Sequence, residues 1–167
     1  MHGVCVESHT SFYSAGADRV VKHWNVDRGT FTDFNAHDLA VTGCALSARG
    51  LVTIGADNFI KLWDARAGVE SSRTSFLSGI PLKCETIAEQ PNWVAVLGGG
   101  GLHIYDMRKL NEVLSFSSPY GFSRRTESIL STCAFNREAT RAIVADTFGR
   151  VHGCSTALVS SQVDHSY

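Results

Sequence analysis

SAGADRVVKHWNVDRG (residues 14–29) and TIGADNFIKLWDARAG (residues 53–68) align with each other without a gap. Each contains Gly-Ala-Asp near its start, a lysine four residues after the aspartate, a tryptophan two residues later and a closing glycine. The two tryptophans, Trp24 and Trp63, are separated by 39 positions. Self-similarity at a fixed spacing indicates a repeated structural unit, and it restricts the fold more than any single motif does.

Two weaker copies continue the repeat. GGGGLHIYDMRKL (residues 98–110) has Tyr105-Asp106 where the second copy has Trp63-Asp64, a spacing of 42 positions. AIVADTFGRVHGCS (residues 142–155) is the fourth copy. A period of about 40 residues that ends in Trp-Asp is the signature of WD repeats, whose units form the four-stranded blades of a β-propeller.

The pattern between the motifs is that of short strands. Runs rich in β-branched and aromatic residues alternate with Gly, Asp, Asn and Ser, and no long segment has the apolar period of an amphipathic helix. One cysteine falls in the predicted first strand of each unit: Cys5, Cys44, Cys84 and Cys133. Because a metal site would need closely spaced Cys or His ligands, we interpret these cysteines as small side chains in crowded inner strands.

We therefore predict an all-β fold, a partial WD-repeat β-propeller of about four blades or part-blades. The propeller segment covers residues 1–155, in units at approximately 1–35, 36–77, 78–117 and 118–155, and residues 156–167 form a divergent tail. Two units, over roughly 40–117, are expected to be complete, with partial units on either side. Since a partial propeller leaves strand edges and apolar faces uncovered, we also expect self-association through them.

Polar residues recur at equivalent places in the first two units. By resemblance to WD-repeat proteins, Trp63 is expected to donate to Thr53, Thr53 to His37, and His37 to Asp57, in a buried structural relay. The first unit repeats three members, Ser14, Asp18 and Trp24, and its histidine would precede residue 1. A hydrolase triad is the alternative, but the G-x-S-x-G nucleophile motif is absent and a catalytic set has no reason to recur.

Composition excludes several other classes. The 167 residues carry a formal net charge of −1, which argues against nucleic-acid binding through bulk positive charge. The sequence has no apolar run long enough to cross a bilayer and no visible signal peptide, so we read its 5 cysteines as reduced thiols. The glycines at 98–101 lack the Lys-Ser or Lys-Thr of a phosphate-binding loop. We predict no catalytic residue, cofactor or metal.

The order of the motifs resembles one WD-repeat family, the seven-bladed spindle-checkpoint adaptors of the budding-uninhibited-by-benzimidazole group. Nuclear-pore mRNA export factors are close relatives of that family. The resemblance covers about residues 4–155, and the stretches that carry it are NAHDLAVTGCAL (35–46), IKLWDARAG (60–68), LHIYDMRKL (102–110), SRRTESIL (123–130) and FGRVHGCS (148–155).

This resemblance implies a non-catalytic adaptor. Its partners would be the docking motif of checkpoint kinases and a phosphorylated kinetochore scaffold, and its location the nucleus and kinetochore, and also the cytoplasm. Arginine suits such ligands because its planar fork binds carboxylate or phosphate. Arg150 matches the family's Gly-Arg-Val arginine, and Arg124 with Arg125 forms a second candidate for peptide or phosphopeptide binding. An mRNA export adaptor and another WD-repeat scaffold are the alternatives.

Two positions depart from the family pattern. Ala56 stands where the family tends to place an aromatic residue of the peptide-docking surface, and Thr132 stands where it has an arginine before the cysteine of the fourth unit. Aromatic and arginine side chains often anchor such interfaces. The two substitutions therefore predict an altered affinity for peptides.

Overall fold

A computed structural model describes residues 3–64, 67–77, 79–88, 90–98, 101–117, 130–136, 138, 140–146 and 149–155. These residues form 15 β-strands and contain no helix. Consequently, this part of the chain has no helix with the length and apolar character needed to span a membrane.

The strands group into four separate antiparallel sheets, each built from strands consecutive in the sequence. Their bounds are as follows: β1 Gly3–Val6, β2 Ser11–Ala15, β3 Val20–Asn25 and β4 Thr30–Asn35 in the first sheet; β5 Val41–Ser47, β6 Gly50–Gly55, β7 Phe59–Asp64 and β8 Val69–Ser75 in the second; β9 Pro81–Ile87, β10 Gln90–Gly98, β11 Gly101–Asp106 and β12 Asn111–Ser117 in the third; β13 Leu130–Phe135, β14 Arg141–Asp146 and β15 Val151–Ser155 in the fourth.

The predicted all-β fold is confirmed, and the sheets have the form of propeller blades. The expectation of only two complete units is wrong, because within the described residues three sheets have four strands each. The outer strand of a sheet follows its third strand in the chain. The first sheet therefore acquires its outer strand, β4, from Thr30–Asn35 and needs no preceding segment to supply it.

The hydrophobic core lies between sheets rather than within one. Tyr13 of the first sheet packs with Leu51 and Trp63 of the second. Val52 and Ile60 of the second sheet share a cluster with Val94 and Val96 of the third, and a third cluster joins the third sheet to the fourth. Each sheet therefore depends on its neighbour to cover its apolar side chains.

The four predicted cysteines lie on β1, β5, β9 and β13, the first strands of the sheets. These strands approach closely: a Cβ atom on Gly3 would lie 2.9 Å from the backbone nitrogen of Cys44. Burial raises the pKa of Cys84, and raises that of Cys133 to about 12. Both thiols are therefore uncharged near neutral pH, as small packing residues would be.

Candidate functional site

The four relay residues of the second unit meet in one hydrogen-bonded chain. Trp63 Nε1 donates to Thr53 Oγ1 at 2.8 Å, and His37 Nε2 lies 2.7 Å from the same hydroxyl oxygen. On the other side of the ring, His37 Nδ1 lies 2.8 Å from Asp57 Oδ1. Thr53 is on β6, Trp63 on β7 and Asp57 in the turn between these strands, while His37 comes from the segment joining β4 to β5.

The protonation states of His37 and Asp57 determine which atom donates in each hydrogen bond of the relay. Burial lowers the pKa of His37, although the hydrogen bond to Asp57 opposes this effect. Burial would raise the pKa of Asp57, but the hydrogen bond and charge of His37 outweigh it and lower that pKa. A neutral His37 donates Nδ1–H to the Asp57 carboxylate and accepts the Thr53 hydroxyl proton at Nε2.

The relay is closed to substrates. The side chain of His37 is 0% exposed, and Thr53 is equally inaccessible. A Cβ atom on Gly55 would lie 2.5 Å from His37 Nδ1, so a larger residue at position 55 would collide with the imidazole ring. The hydrogen-bonding atoms of the four relay side chains all have partners within the protein. The relay therefore connects the segment after the first sheet to the β6–β7 turn of the second sheet.

The first sheet repeats only part of this geometry. Trp24 Nε1 donates to Ser14 Oγ at 2.8 Å, the same distance as between Trp63 and Thr53. The Asp18 carboxylate accepts the backbone N–H of Val20 at 3.4 Å and remains exposed. The structure thus brings Ser14 and Trp24 together, and it places Asp18 in the turn beside them.

One recurring pair of polar side chains, not predicted from the sequence, joins the third and fourth strands of two sheets. Lys61 Nζ lies 3.2 Å from Glu70 and donates to the carbonyl oxygen of Ala36 at 2.9 Å. At the equivalent places of the third sheet, His103 Nδ1 lies 3.0 Å from Glu112. The spacing of 42 positions that relates Trp63 to Tyr105 also relates Lys61 to His103 and Glu70 to Glu112. The sequence repeat could therefore have predicted these pairs.

We call one end of the four sheets the rim: the described residues of the turns between the second and third strands and of the segments joining successive sheets. Backbone and side-chain bonds place these turns at the same end, since Val41 N bonds Gly16 O at 3.1 Å and Thr42 Oγ1 bonds Pro81 O at 2.5 Å. Arg150 is half-buried in this rim, directly before β15. Arg124 and Arg125 lie outside the described residues.

The rim also exposes apolar and cationic side chains. Leu77 is 91% exposed, and Leu39, Ile80 and Leu82 are also exposed, in the joining segments and at the start of β9. On β9, Lys83 forms an ion pair with Glu85, and its Nζ also donates to Thr132 Oγ1 at 3.3 Å. Ala56 is half-buried in the turn beside Asp57. Among the described residues, no three His, Cys, Asp or Glu side chains are grouped to hold a metal ion.

Comparison with known proteins gives one informative similarity, and no family model matches the chain. Over 110 residues, or 65% of the chain, it is 30% identical to Mitotic checkpoint protein BUB3.3 of Arabidopsis thaliana. The chain aligns with 34% of that relative, so it spans about a third of the relative's length. Together with the four-stranded sheets, this similarity supports a WD-repeat-like protein.

Proposed function

We propose that the chain is part of a non-catalytic WD-repeat adaptor that binds peptide motifs of other proteins in mitotic checkpoint signalling. The observation that carries this proposal is the similarity to a mitotic checkpoint protein across 65% of the chain. The enclosed relay supports it as well, because the residues that could be mistaken for a catalytic set are engaged with one another. On this proposal the protein acts in the nucleus and at kinetochores.

The rim is the proposed docking surface. Exposed leucine and isoleucine side chains offer an apolar contact area, and Arg150 offers positive charge at the same end of the sheets. A docking motif of a checkpoint kinase or a phosphorylated kinetochore segment combines apolar anchors with carboxylate or phosphate groups. Such ligands match this combination because a guanidinium group binds these oxyanions through paired N–H donors.

The charge distribution supports an acidic ligand on the later sheets. Residues 108–150 carry 7 basic and 4 acidic side chains, whereas residues 1–107 carry 8 basic and 11 acidic ones. A negatively charged peptide is therefore attracted toward the part of the chain that contains Arg150.

The test is a binding titration of the purified chain with a fluorescent docking peptide from a checkpoint kinase. We expect saturable binding that weakens at least about tenfold in the Arg150→Ala variant, since a charge-assisted bond contributes about 1.5–3 kcal/mol. Arg49→Ala is the matched control, because Arg49 is an exposed arginine in the turn between β5 and β6 at the opposite end of the sheet.

Absence of binding to kinase and phosphorylated scaffold peptides would contradict the checkpoint proposal. Binding instead to a nuclear-pore docking peptide would favour an mRNA export adaptor. Equal weakening by Arg150→Ala and Arg49→Ala would show that the contact depends on overall charge and would remove Arg150 from the proposed site.

A further inference from the structure

Two of the cysteines, Cys5 and Cys44, meet where the first and second sheets are in contact. Cys5 lies on β1 and Cys44 on β5, and their thiols hydrogen-bond to each other. The two strands approach closely at this point, since a Cβ atom on Gly3 would lie 2.9 Å from Cys44 N. Both cysteines are reduced, and neither belongs to the relay or to the rim. The pair is therefore independent of the peptide docking proposed above.

A small reagent has room beside this pair. A cavity of about 430 Å³ is lined by three consecutive first strands, β1, β5 and β9, and both cysteines are among its lining residues. The strands on both sides of the pair belong to this chain, so the contact between the two thiols is formed entirely within it. A molecule of a few atoms that enters this cavity can reach the pair.

The two thiols differ in acidity. The hydrogen bond from Cys5 lowers the pKa of Cys44, and the backbone N–H of Cys5 adds to this effect, although burial opposes it. The same hydrogen bond raises the pKa of Cys5, as does burial. Burial also raises the pKa of the remaining cysteines, Cys84, Cys133 and Cys154. Because the thiolate is the nucleophilic form of cysteine, Cys44 is the reactive member of the pair and Cys5 is a neutral thiol beside it.

We propose that Cys5 and Cys44 form an oxidation site, which a peroxide converts into a disulfide bond between the first two sheets. The Cys44 thiolate attacks one peroxide oxygen and the O–O bond breaks. Cys44 becomes a sulfenic acid, and the other oxygen takes up the proton that Cys44 lost and leaves as water or an alcohol. The Cys5 sulfur then attacks the Cys44 sulfur, the S–O bond breaks, and the departing hydroxide takes the Cys5 proton to form water. The two thiols together lose two electrons, which the peroxide gains.

The hydrogen bonding selects the partner of Cys44. Cys84 lines the same cavity from β9, but the hydrogen bonds that lower the pKa of Cys44 come from Cys5. The thiol closest to attack on a Cys44 sulfenic acid is therefore that of Cys5. The resulting disulfide joins β1 to β5, and it adds a covalent link to the relay that already connects the first sheet to the second.

The test treats the reduced, folded chain with one equivalent of hydrogen peroxide, alkylates the remaining thiols and maps the tryptic peptides without reductant. Trypsin places the three cysteines of the cavity on separate peptides, residues 1–19, 29–49 and 84–108. We expect a monomer that has lost two of its 5 free thiols. We also expect one crosslinked product, peptide 1–19 joined to peptide 29–49.

Three variants separate the roles of the cysteines. In Cys5→Ala we expect Cys44 to stop at the sulfenic acid, which a cyclic dione labels. In Cys44→Ala we expect Cys5 to acquire neither the label nor a crosslink. Cys84→Ala is the matched control, because Cys84 lines the same cavity, and this variant should form the crosslink as the native chain does. Melting curves establish that each variant is folded.

Three results on the native chain would overturn the proposal, whether or not the variants fold. The first is a crosslink between peptides 29–49 and 84–108, or between two chains, in place of the expected product. The second is oxidation of all the thiols at equal rates. The third is a crosslink that forms equally well in urea, because the proposal requires the folded contact between β1 and β5.

Discussion

The hydroxyl group of Thr53 lies between two rings and serves both. It accepts the indole N–H of Trp63 and donates to the imidazole of His37, and all three side chains are buried. A buried polar group is costly when its partner is removed, since water cannot replace the lost bond. Thr53 should therefore contribute far more to stability than its single methyl and hydroxyl groups would on the surface.

Replacement of Thr53 by valine keeps the shape of the side chain and removes the hydroxyl group. We expect Thr53→Val to lower the free energy of unfolding by about 1–3 kcal/mol, because it leaves Trp63 Nε1 and His37 Nε2 without a partner. Thr53→Ser retains the hydroxyl group and is the control for it. Chemical denaturation measures both, and equal stability of the valine variant and the native chain would contradict the relay.

The His37–Asp57 pair predicts a pH dependence of stability. Burial holds the pKa of His37 below its ordinary value of 6.5, so unfolding allows this ring to take up a proton. The unfolded state then binds more protons than the folded state, and the free energy of unfolding falls as pH falls below about 6.5. The lowered pKa of Asp57 causes a further loss only below its ordinary value of 3.8.

Urea denaturation at several pH values between 5 and 8 measures this slope. In the His37→Gln variant the part of the slope due to His37 should disappear, while the variant is less stable than the native chain at pH 8. A slope that is unchanged in this variant would mean that another group is responsible.

At the scale of elements, the outer strand of a sheet has a weaker sequence signal than the first two strands. Inner and middle strands such as Val41–Ser47 and Gly50–Gly55 are dominated by buried apolar residues. The outer strand Val69–Ser75 has the sequence VESSRTS, and exposed and half-buried residues alternate along it. Because such strands are held mainly by backbone bonds to a neighbour, their side chains give little apolar signal.

The relay was predictable from resemblance to WD-repeat proteins, and the contacts of the rim were not. Thr53, Asp57 and Trp63 align with Ser14, Asp18 and Trp24 of the first unit, whereas His37 has no aligned counterpart there. The contact between Lys83 and Thr132 joins residues 49 positions apart in different sheets, and neither belongs to a motif. Such contacts depend on how the sheets pack, which a single sequence does not specify.

Close packing of the first strands gives a prediction for Gly3. A Cβ atom there would lie 2.9 Å from Cys44 N and 3.0 Å from the Cα atom of Gly43, so the two strands would have to separate. We expect Gly3→Ala to lower the free energy of unfolding by about 1–3 kcal/mol. Gly153→Ala is the control, because a Cβ atom on Gly153 meets no atom within 4 Å. Thermal denaturation should show the loss for Gly3→Ala alone.

At the scale of the whole molecule, stability and binding are assigned to different residues. The sheets cover one another through clusters between neighbours, and the enclosed relay fastens the first sheet to the second. The sheet faces at the two ends of the array also carry exposed apolar side chains, among them Val6 and Phe31 on the first sheet and Ile143 and Val151 on the fourth. We expect these faces to cause self-association, which sedimentation at increasing concentration measures.

The most direct test of the whole account compares Thr53→Val with Arg150→Ala for both stability and affinity for the checkpoint kinase peptide. At a temperature where both variants are folded, we expect Thr53→Val to melt earlier but bind normally, and Arg150→Ala to remain folded but bind at least about tenfold more weakly. A folded Thr53→Val variant without peptide binding, or a stable Arg150→Ala variant with full binding, would contradict this division between architecture and recognition.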